Sequence, residues 1–203
     1  MDTPSIVLVS GSLRADSTSD RVARWCARQC RQQGAEARVF TGAELQFPFY
    51  RPGLSEQDGE DGEIGGFVRA LSRADGLVLV SPTYHGTVSG LLKNALDYAN
   101  ELVSPRMFLE GVPLGCVAVG AGPQGMASTL TTLRTIGHAL RAWPTPLGVT
   151  ARNWTDDGAV PADGTSAEQQ QSRDQMAVMI AQVLSMASVN AASARQRLSA
   201  SRG

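Results

Sequence analysis

The chain opens on an unbroken apolar run, Ile6-Val7-Leu8-Val9, and a second, Leu77-Val78-Leu79-Val80, lies some seventy residues on. Neither run alternates with polar residues. Such segments read as strands buried on both faces, the habit of a parallel sheet in an α/β protein. Between and after them the apolar positions recur at helical spacing. A first helix is predicted over about Thr18–Gln33, with Val22, Trp25, Cys26, Gln29 and Cys30 on one stripe and Gly34 as its stop. A short strand over Glu36–Phe40 follows, then a long connection, Thr41–Gly62, that holds Pro48 and Pro52. A connection of that length borders or covers a site more often than it merely joins two elements.

The same alternation continues to the end of the chain. Glu63–Arg73 reads as a helix with Ile64, Phe67, Val68 and Leu71 inward, and Gly76–Ser81 as the third strand. A helix is expected over about Ser89–Leu102, a fourth strand over Val112–Val119, and a helix from Met126 to about Arg141. Trp143–Thr150 reads as the last strand, and its prolines, Pro144 and Pro146, suit an edge position. Ala151–Thr165 is polar. Ser166–Val189 is amphipathic, with Met176, Met179, Ile180, Val183 and Leu184 on one face. Strands alternating with helices imply an α/β, doubly wound parallel sheet of five strands, flavodoxin-like, in the order 2-1-3-4-5, within a three-layer α/β/α sandwich. One domain is expected over residues 1–189, with a flexible tail over 190–203.

Composition narrows the classes of function. The 203 residues are 42% hydrophobic and 18% charged, with a net charge of −1. That balance lacks the basic face nucleic-acid binding requires, and it is not that of a strongly acidic electron carrier. Lys93 is the single lysine among the basic residues. The start of the chain has no cationic leader, and no stretch approaches the about 20 apolar residues of a membrane span. A cytoplasmic protein with no membrane contact is expected. Cys26 and Cys30 are four apart on a helix with no further ligand close by, so they read as small core residues and no metal is expected.

The candidate chemistry lies in three loops, each following a strand. Topology brings the ends of strands one, three and four to one edge of the sheet, at the switch point where doubly wound folds bind ligands. Loop one carries Ser12, Arg14, Ser17 and Ser19 ahead of a helix. Hydroxyls, a guanidinium and unpaired helix N–H groups together match a phosphate. The loop is neither G-x-G-x-x-G nor G-x-x-x-x-G-K-[ST], which disfavours a dinucleotide or triphosphate site and leaves a phosphomonoester. Loop two carries Pro82, Thr83, Tyr84, His85, Gly86 and Thr87. Tyr84 offers a flat face, and His85, with no acidic partner near in sequence, reads as a contact. Loop three, with Gly120, Gly122 and Gly125, offers backbone rather than side chains to a planar ligand.

GSLRADSTS resembles the G-S-x-R-x-x-S-x-[NS] loop of the NADPH-dependent FMN reductases. SPTYHGTVSGLLKNALDY resembles their P-x-Y-[NH]-G-[ST]-x-x-G-x-L-K-N-A-[LI]-D-[WY] segment closely. The likeness covers roughly residues 5–150. It implies that Ser12, Arg14, Ser17 and Ser19 hold the FMN phosphate, and that residues 82–87 line the ribityl chain and one edge of the ring. Gly120, Gly122 and Gly125 would lie at the opposite edge. It further implies hydride transfer from NADPH, or NADH, through FMN to free flavin, a quinone, or an azo or nitro compound. A flavin-dependent monooxygenase is the alternative recipient of reduced flavin. No protein residue is expected to be catalytic, because the cofactor carries the chemistry. Lys93 and Asp97 would share a helix face that in the family lies near a subunit interface, which implies a homodimer or homotetramer. A flavodoxin-like carrier, a binding module without turnover and a specialised biosynthetic flavoenzyme are the competing readings.

Overall fold

Both faces of a parallel sheet must be covered, and the chain does this with two helical layers. The structure is a computed structural model that describes residues 3–59, 61–104, 106–152, 154 and 167–200, with side chains as far as residue 190. Strands β1 (Ser5–Ser10), β2 (Glu36–Phe40), β3 (Gly76–Pro82), β4 (Pro113–Val119), β5 (Trp143–Pro144) and β6 (Val149–Ala151) are all parallel. Their order is β2-β1-β3-β4-β5, with β6 also on β4, the flavodoxin-like arrangement. The helices are α1 (Thr18–Gln32), α2 (Leu54–Asp58), α3 (Glu63–Arg73), α4 (Gly90–Asp97), α5 (Pro123–Ala139) and α6 (Ala167–Ala200). No helix among the described residues is long and apolar enough to cross a membrane.

Strand alternation divides the core in two. Val7, Val9, Leu77, Leu79, Leu114 and Cys116 pack under α3, α4 and α5, with Phe67 and Leu96 among their partners. Ile6, Leu8, Val78, Val80, Val117 and Val119 pack under α1 and α6. The predicted stripe of α6 covers its own sheet: Met176, Met179, Ile180 and Val183 are fully buried. The helix lies close, since a Cβ on Gly115 would come within 3.2 Å of Met179 and 3.3 Å of Val183. Cys26, Cys30 and Cys116 are buried. Burial pushes the Cys30 thiol up to about 11 and the Cys116 thiol up to about 12, so both stay protonated at neutral pH and act as packing groups.

Four boundaries differ from the expected ones, each for a local reason. The last strand is not continuous over Trp143–Thr150 but splits into β5 and β6, because Pro144 and Pro146 have no N–H to give to a ladder. Thr145 bridges the break, donating its N–H to the Leu114 carbonyl at 2.9 Å. Arg134 Nη2 donates to the carbonyls of Thr145 and Pro146 at 2.8 Å each. Helix α5 starts at Pro123 rather than Met126, with proline in its first turn, where a missing N–H costs nothing. The helix expected over Ser89–Leu102 is α only to Asp97 and tightens to a 3-10 turn over Tyr98–Glu101. Helix α6 runs on to Ala200, past the end expected at Val189. The polar stretch Ala151–Thr165 lies almost wholly outside the described residues.

The long connection after β2 is an ordered cover. It contains a 3-10 turn over Gly42–Leu45 and the short α2. Leu45, Phe47 and Leu54 are buried in the core, and Phe47 meets Phe67 and Tyr98 at ring-centroid distances of 5.5 and 5.4 Å. One side chain on α4 holds it down. Asn94 accepts from the Tyr50 N–H at 2.9 Å and donates to the carbonyls of Phe47 at 3.2 Å and Pro48 at 3.0 Å. The Tyr98 hydroxyl also donates to Pro48. Replacing Asn94→Ala removes the partner of the Tyr50 N–H and of the Phe47 carbonyl, while Pro48 keeps its bond from Tyr98, at a cost of about 1–3 kcal/mol. A fall of that size in urea unfolding, with faster amide exchange at Tyr50, is the expected outcome. An unchanged midpoint would show that the segment is secured without Asn94.

Candidate functional site

Loop one begins where β1 stops hydrogen-bonding to β2. Gly11 still donates to the Val80 carbonyl at 2.9 Å, so the loop starts tied to β3. A Cβ at Gly11 would lie 2.7 Å from Ser89 Oγ and 2.8 Å from Leu92 Cβ, so only glycine lets the turn pass the start of α4. Ser17 caps α1: its Oγ accepts from the Asp20 N–H at 3.1 Å, and the Asp20 carboxylate reaches back to the Ser17 N–H at 3.4 Å. This reciprocal box sets the direction in which the 15-residue helix points its N-terminus. Asp20 is buried and also accepts from the Ser10 hydroxyl at 2.5 Å.

Loop two is a tight turn. Tyr84 and Thr87 exchange both backbone hydrogen bonds at 3.1 Å, and His85 and Gly86 both have positive φ, 51° and 79°. Two successive positive φ values are the mark of a type I′ turn. Asparagine and histidine tolerate that conformation better than most non-glycine residues, which is a physical reason for the asparagine-or-histidine alternative at this position. Thr83 continues the sheet by donating its N–H to the Val119 carbonyl at 2.7 Å. Tyr84 and His85 are exposed.

Loop three is shorter than expected, because α5 takes Gly125 into its first turn. A Cβ at Gly120 would stand 3.1 Å from Thr83 Cβ, and one at Gly125 would stand 3.1 Å from Thr83 Cγ2. These two glycines make room for Thr83. The Gly120 N–H donates to the Ala151 carbonyl at 3.3 Å and so extends the sheet. Gly122 faces open space at the start of α5.

The three loops border an open cleft of about 260 Å³. Loop one supplies Ser12, Arg14, Ser17 and Ser19, loop two Pro82, Thr83 and Tyr84, and loop three Gly120. His85, Gly86, Thr87, Gly122 and Gly125 stand outside its lining. Thr18 and Val119 line it and were not singled out from the sequence. The volume falls below the about 300 Å³ at which drug-sized pockets begin, so the cleft suits a small head group with the rest of a ligand lying outside it.

Its chemistry suits an anion. Ser12, Ser17 and Ser19 are at most 4% exposed, in contrast to the open turn that capping alone would explain. Ser17 uses its oxygen as an acceptor and keeps its proton to donate. Arg14 reaches into solvent and makes no ion pair among the described residues. Thr83 Oγ1 is buried and has no partner among the described residues, which points to a ligand group that completes it. A phosphate monoester with a polar tail, as in FMN, fits this donor set. Asp20 escaped the sequence reading, although Ser17 and Asp20 have the three-residue spacing of a capping box.

On the next helix, Lys93 Nζ and Asp97 Oδ1 are 2.6 Å apart on an exposed face, as the i, i+4 spacing requires.

The model of the family described as NADPH-dependent FMN reductase matches residues 4–156. The chain is 30% identical over 142 residues to an NADPH-dependent FMN reductase, ArsH, of Shigella flexneri; the match covers 70% of this chain and 53% of that protein. An NADPH azoreductase of a Bacillus species is 30% identical over 128 residues, covering 63% of this chain and 65% of the relative. An FMN-dependent NADPH-azoreductase of Staphylococcus aureus is 28% identical over 166 residues, covering 78% and 81%. The chain thus spans about half to two thirds of the first two relatives. Among solved structures, the FerB flavoenzyme NAD(P)H:(acceptor) oxidoreductase of Paracoccus denitrificans superposes with a TM-score of 0.70 at 17% identity, over 91% of this chain and 97% of the other. That likeness shows the shared flavodoxin-like fold. With the family model covering most of the sheet and all three loops, the chain belongs to the NADPH-dependent FMN reductase family.

Proposed function

We propose that this protein is an FMN-dependent NAD(P)H oxidoreductase that passes electrons to a small-molecule acceptor. The observation that carries the reading is the cavity at the carboxyl ends of β1, β3 and β4, with its three buried hydroxyls, its helix N-terminus and the unpartnered Thr83 Oγ1. When bound, FMN would supply hydride chemistry, taking two electrons from NADPH or NADH and giving them to the acceptor. The protein's own groups bind and orient. Ser12, Ser17, Ser19 and the N-terminus of α1 would hold the phosphate, with Arg14 closing over it from solvent. Pro82–Thr87 would support the sugar-alcohol chain and ring edge, with the Tyr84 face at the mouth. Gly120, Gly122 and Gly125 would border the ring from the other side. Free flavin, a quinone, or an azo or nitro compound is the acceptor class, and the names of the Bacillus and Staphylococcus relatives favour an azo compound.

The test is a visible spectrum of the purified protein with FMN, before and after anaerobic NADPH. A protein-bound flavin band that bleaches on addition is expected; a band that persists with both NADPH and NADH overturns the reductase reading. Arg14→Ala should weaken FMN about 10- to 100-fold, the worth of a charge-assisted contact, and riboflavin by less than about threefold. Equal weakening of both removes Arg14 from the phosphate site. His85→Asn should keep stability and most turnover. His85→Val should lose about 1–2 kcal/mol of unfolding free energy, because a β-branched residue resists positive φ. A loss of turnover by orders of magnitude in the folded asparagine variant would instead make His85 catalytic.

A further inference from the structure

We infer that Asp20 is a built-in brake on phosphate affinity, which keeps FMN exchangeable rather than permanently held. The inference rests on the proposed placement of the FMN phosphate in loop one. Helix N-termini attract anions through unpaired N–H groups and the helix dipole. Here one of those N–H groups, that of Ser17, is already engaged by an anion of the protein itself. The Asp20 carboxylate accepts from the Ser17 N–H at 3.4 Å and from the Ser10 hydroxyl at 2.5 Å. Asp20 is 3% exposed, so little water screens it, and no cation pairs with it among the described residues. Its bonding partner Ser17 lines the cavity.

Two consequences follow for a ligand phosphate. The Ser17 N–H is spent on Asp20, which leaves the hydroxyls, the first-turn N–H groups of Thr18 and Ser19 and the exposed Arg14 to do the binding. A poorly screened negative charge also stands one hydrogen bond behind the cavity wall. At the effective dielectric of a protein surface, like charges at such range repel by enough to lower affinity about tenfold or more. Riboflavin, which lacks the phosphate, does not feel this repulsion. Asp20 is thus a positioning residue that fixes the loop through Ser10 and Ser17 while weakening the dianion beside them. A weakened phosphate site suits a protein that reduces flavin and releases it, rather than one that keeps a prosthetic group.

The measurement is the dissociation constant of FMN and of riboflavin, by quenching of flavin fluorescence, for wild type, Asp20→Asn, Asp20→Ala and Ser10→Ala. In either neutral Asp20 variant, FMN should tighten by about tenfold or more and riboflavin should change less than about twofold. Ser10→Ala keeps the charge, so its ratio of the two constants should stay near wild type. Unchanged or weaker FMN binding in a folded Asp20 variant overturns the inference. Wild type alone provides a second test that needs no variant to fold. Gel filtration should strip its FMN, and retention of stoichiometric FMN overturns the brake. If wild type binds neither flavin, the functional reading itself fails, a result distinct from unaltered discrimination between the two.

Discussion

The constraint on which the rest depends is burial of the sheet on both faces. Once Val7 and Val9 lie under one helical layer and Ile6 and Leu8 under the other, no polar group can be placed on either face without losing its water. Chemistry is confined to strand ends. Parallel strands share one carboxyl end, so β1, β3 and β4 deliver their loops to the same place whatever those loops contain. The site is therefore a product of topology first and of residue choice second.

Within that frame the residue choices divide between holding the loops and meeting a ligand. Gly11, Ser10, Asp20 and the Ser17 cap hold loop one; the reciprocal Tyr84–Thr87 bonds hold loop two. Thr83 connects loops two and three, since Gly120 and Gly125 are the spaces it packs into. Only then do Ser12, Ser19 and Arg14 have somewhere fixed to point. The segment from Ser89 to Tyr98 does a related task away from the cavity. Its helix begins beside loop one, and its Asn94 and Tyr98 secure the long cover over Phe47–Tyr50.

Most of the fold was legible because its signals are local. The unbroken runs of β1 and β3 and the stripe of α6 can be read from apolar spacing alone, and the order of elements then restricts topology. Loop one was legible because serine, arginine and a helix start make a pattern in sequence. What stayed hidden depends on contacts distant in sequence. Nothing around Gly120 announces that it packs on Thr83, and nothing around Asn94 announces that its amide answers Tyr50. The split of the last strand was half visible: Pro144 and Pro146 marked an edge, but only the register against β4 shows where the ladder resumes. Asp20 was missed because attention to donors for a phosphate passes over an acid.

The break between β5 and β6 has a consequence for how copies of this chain can meet. A continuous edge strand exposes a row of unpaired N–H and C=O groups that another sheet can join. Here the row is interrupted by two prolines, and Arg134 occupies two of its carbonyls. At the opposite edge Arg31 Nη2 sits on the Ala37 carbonyl at 2.6 Å, and Glu36 and Arg38 set charge along β2. The sheet is thereby protected against growing sideways into an aggregate at either end, a safeguard for a fold whose interior strands are this uniformly apolar.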